Sequence, residues 1–123
     1  MTVPVGKIDE SAQKLIDVTR EALNVGIAQA RVGKSTGDIG FAIEKYVVDH
    51  GFVVVEELGG HGVGYAQHED PHISNYGDRG QGVRLKKGMV IALEPIVNKG
   101  GFMAQHEHTI VITDGDPEIL TKV

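Results

Sequence analysis

The spacing of apolar residues changes once along this chain, from helical before Gly51 to β-branched runs after it, and that switch limits the folds open to it. From Asp9, the residues Leu15, Ile16, Val18, Ala22, Leu23, Val25, Ile27 and Ala30 make a broad stripe at helical spacing. Asp9 or Ser11 can cap its start, and Gly33 is a natural stop. A second helix opens at Ser35 or Thr36 and carries Ile39, Ala42, Ile43, Tyr46 and Val47 on one face, with Gly51 following its end. Phe52 to Val55 then reads as a short strand, and Met89 to Glu94 as another ended by Pro95. Glu107 to Thr113 and Glu118 to Thr121 read as two strands joined around Asp114-Gly115. The Pro-, Asn- and Gly-rich stretch that follows Tyr65, up to Gly82, reads as an ordered loop. The expectation is α+β: two helices packed on an antiparallel sheet, with residues 1–123 forming a single domain.

Composition narrows the function. With 123 residues, 41% hydrophobic and 24% charged, the chain is long enough for an ordinary core. No apolar run approaches the length of a membrane span and no signal-peptide pattern is present, so a cytoplasmic location and no membrane partner are expected. The net charge of −5 argues against nucleic acid as a partner. Without cysteine, disulfides and thiol chemistry are excluded. Five of the six histidines (His61, His68, His72, His106 and His108) lie in the second half, which makes that half the place to look for His–carboxylate metal chemistry.

Two familiar motifs fail on inspection. Val32-Gly33-Lys34-Ser35-Thr36 resembles the end of a phosphate-binding loop, but the required earlier glycine is Ala28 and a helix precedes it. His68-Glu69-Asp70-Pro71-His72 has the letters of H-E-x-x-H, yet Pro71 opposes the helix that would bring both histidines to one metal. Three other features keep two readings each. His61, between Gly60 and Gly62, is either a solvated turn residue or a side chain aimed at a metal across glycines that permit close approach. Glu94, after an apolar strand, faces either a strand end or the core, where it would need a partner. Alternation sends His106 and His108 to one face and Glu107 to the other, and Glu107 joins Glu94 only if the strand register allows.

Gly60-His61-Gly62-Val63-Gly64, His68-Glu69-Asp70-Pro71, Leu85-Lys86-Lys87-Gly88-Met89, Glu94-Pro95 and Gln105-His106-Glu107-His108-Thr109 occur in the order found in methionine aminopeptidases of type I, which the chain resembles over nearly its whole length. Glu107-His108-Thr109 favours that family over the prolidases that share its pita-bread fold. The resemblance implies a truncated, half-like pita-bread fold and a metallohydrolase that removes the N-terminal residue from peptides. It implies His61, Glu94 and Glu107 as metal ligands, His68 and Glu94 as catalytic residues, and His68 and Gln105 as substrate contacts. The implied cofactor is a divalent metal (Mn, Fe, Co or Zn), one per chain, and the implied partners are peptide N-termini.

The departures are equally specific. The family's other two ligands are aspartates on strands ahead of the first helix, and no Asp here precedes Asp9. A pocket tryptophan is missing between Asn98 and Gln105, and Gln67 stands where an aromatic residue is common. Three ligands are the count of an open one-metal site. A half fold also leaves sheet edges exposed, so self-association or pairing with a separate N-terminal half is expected. The rival expectation is a catalytically inactive half-fold serving as a binding or assembly module, or an engineered minimal fragment.

Overall fold

Asp9 caps the first helix by accepting the Ala12 N–H at 2.7 Å. That helix, α1 (Glu10–Gln29), buries Leu15, Ile16, Val18, Ala22, Leu23 and Ile27, the stripe its spacing predicts. Its buried Thr19 hydroxyl donates to the Leu15 carbonyl at 2.6 Å, which removes the cost of an unpaired polar group in the core. The connection to the second helix is a turn, with Gly33 at φ +89 and the Lys34 N–H on the Arg31 carbonyl, so the phosphate-loop look-alike has no strand before it.

Ser35 starts α2 (Thr36–Asp49) with a reciprocal cap. The Asp38 N–H donates to Ser35 Oγ at 3.2 Å, and the Ser35 N–H donates back to Asp38 Oδ2 at 2.8 Å. That backbone donor, helped by the Gly80 N–H, holds the Asp38 carboxyl below the usual carboxylate range despite partial burial. Gly51, at φ +86, adopts the left-handed conformation that lets the chain leave the helix.

The computed structural model describes residues 1–122. Beyond the helices lie β1 (Val53–Val54), β2 (Gly59–Gly62), β3 (Glu69–Ser74), β4 (Val90–Leu93), β5 (Ile96–Lys99), β6 (Phe102–Gln105), β7 (His108–Val111) and β8 (Glu118–Ile119). They form two antiparallel sheets where one was expected, ordered β1-β5-β6 and β3-β2-β4-β7-β8. Both helices pack behind them, α1 on β4, β5 and β6, and α2 on β1 and β3. The row Val54–Val97–Ala104 shows the alternation: Val97 and Ala104 are buried, whereas Val53 and Met103 in the next row are more than half exposed. Ile39, Ile43, Ile73, Ile91 and Ile110 complete the core between the layers.

Two sequence expectations need correcting. The stretch after Tyr65, up to Gly82, contains β3, so it is not loop throughout. Its pairing with β2 carries a register shift between His61 and Gly62, while exposure along β3 itself alternates. The segment after Pro95 folds into the hairpin β5–β6 around Gly100-Gly101, both at positive φ, a two-residue turn that the expected strands omitted. Replacing Ser35 with alanine removes the cap and should cost about 1 kcal/mol in urea denaturation at neutral pH, with the m value unchanged. Because the Asp38 pKa is lowered on folding, the stabilisation from its ionised form is present at neutral pH and fades as pH falls through the carboxylate range.

Candidate metal centre

One antiparallel register runs through both sheets. Val90 to Leu93 pair with Val111 to His108, and Ile96 to Lys99 pair with Gln105 to Phe102 in the same phase. Between these ladders the His106 N–H still reaches the Pro95 carbonyl at 3.3 Å. Continuing the register places Glu94 opposite Glu107, where the sheets separate. The sequence left this alignment open. Two carboxylates facing each other across a strand pair repel, so the arrangement calls for a positive charge between them.

His61 supplies the third group. It stands on β2 opposite Ala92 of β4, and Gly60 beside it makes the approach possible: a Cβ there would collide with the Ala92 carbonyl oxygen. His61 Nε2 lies 3.1 Å from Glu94 Oε1, and the two side chains are only 12% and 15% exposed. The other ring nitrogen, Nδ1, is 2.9 Å from the Gly62 carbonyl, which can only accept. With the proton on Nδ1, Nε2 turns a lone pair towards the carboxylate, and that contact is favourable only with a cation or a second proton between them. Donor atoms of His61, Glu94 and Glu107 all lie within 4.8 Å of one another, with Glu107 on the exposed side. An imidazole and two carboxylates suit a divalent transition metal, so these residues fit the group.

The remaining expected residues divide. His68 is exposed and its ring lies against that of His61, centroids 4.0 Å apart and tilted by 36°, beside the donor cluster but outside it. His68 precedes strand β3 and His72 is exposed within it, so H-E-x-x-H here is not the helical zinc motif. Gln105 is exposed two residues before Glu107, and its backbone is bound to Thr2 through the Thr2 N–H and Thr2 Oγ1, each at 2.8 Å. His108 is tied to the Thr121 hydroxyl at 2.9 Å. The Glu94 carbonyl accepts from the buried Asn75 side chain at 2.8 Å, a contact that periodicity and motif reading did not single out.

The chain belongs to Metallopeptidase family M24, matched over residues 1–114. It is 42% identical to methionine aminopeptidase 1 of Bacillus subtilis, over 99% of this chain and 56% of that protein. It is 40% identical to the methionine aminopeptidase of Clostridium acetobutylicum, over 98% of this chain and 55% of that one. The crystal structure of methionine aminopeptidase from Rickettsia prowazekii superposes with a TM-score of 0.92 at 37% identity, over 96% of this chain and 55% of that one. The chain therefore has the expected half-like pita-bread fold, and it spans about half the length of the relatives it matches.

His106, between Gln105 and Glu107, is 4% exposed, and its Nε2 has no hydrogen-bond partner among the described residues. Burial, then the charges of Arg20, the amino terminus and His108, hold its pKa below the ordinary 6.5. The unfolded chain therefore binds a proton that the folded chain resists. Stability from the neutral ring is complete above about pH 6.5 and is lost as pH falls towards the lowered folded value. In urea denaturation between pH 7 and pH 5, the His106→Phe chain should lose less stability than the parent.

Proposed function

We propose that this chain is the metal-holding part of a methionine aminopeptidase-like hydrolase that releases the N-terminal residue, Met foremost, from peptides. The convergence of His61, Glu94 and Glu107 from three separate segments carries the reading. These side chains would hold one divalent ion per chain, Mn, Fe, Co or Zn. That ion would supply Lewis-acid polarisation of the scissile carbonyl and lower the pKa of water. Glu94 would take the proton of the attacking water on its carboxylate and return it to the leaving amine. His68, on the open side of His61, would hydrogen-bond the scissile amide and the oxyanion that develops from it. Gln105 would contact the peptide from the strand leading into Glu107. The family likeness and the absence of any helix long and apolar enough to cross a membrane among the described residues agree with a cytoplasmic enzyme.

Calorimetric titration of the full chain with Mn²⁺ should show one site per chain, and Glu107→Gln should weaken it. With the metal supplied, peptides beginning with Met should lose that residue, and His61→Ala should reduce the rate by about 100-fold or more. His68→Ala should slow turnover while leaving metal affinity unchanged. Cleavage no faster than that of the His61→Ala control would reject the hydrolase reading for this chain.

A second reading is favoured by the outward row of the smaller sheet. Val53 and Met103 stand 57% and 58% exposed, and the edge of β6 already accepts Thr2. The chain would then associate with itself or with a separate N-terminal half across this surface, with or without chemistry. Sedimentation of the chain across a hundredfold range of concentration should reveal dimers that Met103→Glu weakens; a monomer throughout would reject self-association.

A further inference from the structure

The loop after β3 contains a buried amide that the chemistry above leaves unused. Asn75 is 1% exposed, and its Nδ2 donates to the Glu94 backbone carbonyl at 2.8 Å. That carbonyl sits where the strand ladder breaks: β4 ends at Leu93, Pro95 follows Glu94, and the chain then passes into the other sheet. We propose that Asn75 is a positioning residue for Glu94, fixing the main chain from which the carboxylate hangs and thereby setting the affinity of the centre for a divalent cation. The proposal rests on the metal reading above.

Asn75 can do this because its own loop is fastened to the first turn of α2. The Thr36 and Gly37 N–H groups donate to the Val83 and Gln81 carbonyls, both at 2.9 Å. In the opposite direction the Gly80 N–H donates to Asp38 Oδ1 at 3.0 Å, and the Val83 N–H to Thr36 Oγ1 at 3.1 Å. Two helix glycines admit the loop. A Cβ on Gly40 would strike the Ser74 and Tyr76 carbonyl oxygens, and one on Gly37 those of Asp78 and Gln81. The helix cap, the loop, the Asn75 amide and the Glu94 backbone thus form a continuous strut that ends at a proposed ligand. A residue that holds a ligand from behind influences affinity without touching the ion, typically by 10–100-fold.

Asn75→Leu keeps the side chain's approximate size and removes its donor. In Mn²⁺ titrations of the full chain, it should weaken binding about 10–100-fold relative to the parent. Leu15→Ala serves as the comparison, since Leu15 is a buried core residue that lines a small cleft with Lys99 and Phe102, at the far end of the β5–β6 hairpin. It should lower the urea midpoint while leaving Mn²⁺ affinity unchanged. Wild-type affinity in Asn75→Leu, or an equal loss in Leu15→Ala, would overturn the proposal. If Asn75→Leu does not fold, Asn75→Ser takes its place with the same outcomes. If the parent itself binds no Mn²⁺, the metal reading fails separately, and metal-free crystal structures decide the role of Asn75. A Glu94 carboxylate drawn away from His61 Nε2 in the variant supports it, and an unchanged 3.1 Å contact overturns it.

Discussion

Two like charges set opposite each other are the constraint around which this molecule is arranged. Glu94 and Glu107 occupy matching positions in one long antiparallel register, and the His61 imidazole closes on the first of them. At a separation of about 4 Å, such charges repel by about 1 kcal/mol in water and about 4 kcal/mol at the reduced dielectric near a protein surface. Holding them together therefore needs a rigid support, and the helices and buried isoleucines behind the strands provide it. A single positive ion reverses the sign of the cluster's energetics, which ties the core's rigidity to the site's proposed chemistry.

The support depends on what is left out of the chain as much as on what it contains. Gly60 lacks the Cβ that would hold β2 away from β4, and Gly62 lacks one that would meet the Asp70 carbonyl. His61 is thus held between two close backbone approaches. Pro95 contributes differently: with no N–H it cannot extend a ladder, and the strands part beside it into two sheets. The open end of the cluster lies at that parting.

Much of this was legible in the amino-acid sequence because it rests on local rules. The buried faces of both helices follow from 3.6-residue spacing, Asp9 and Ser35 are the caps that the residue types suggest, and Gly51 is the stop. The His61, Glu94 and Glu107 set came from kinship of motifs, since spacing alone left Glu94 and Glu107 unaligned. Strands β2 and β3 were hard to see because glycines and a proline occupy positions where β-branched residues usually signal a strand. The β5–β6 hairpin left little trace in periodicity, because Asn98 and Lys99 interrupt the apolar pattern of its first strand. Asn75 could be found only in three dimensions, because its importance lies in a carbonyl 19 residues away.

The contact between Thr2 and Gln105 has a practical consequence. It fixes the beginning of the chain against the strand that leads into Glu107, close enough for the terminal amino group to act on His106. Any polypeptide joined ahead of Met1 starts one residue from that contact, on the strand that runs towards Glu107. A polyhistidine purification handle placed there would bring extra imidazoles beside the site and compete for the very ion being titrated.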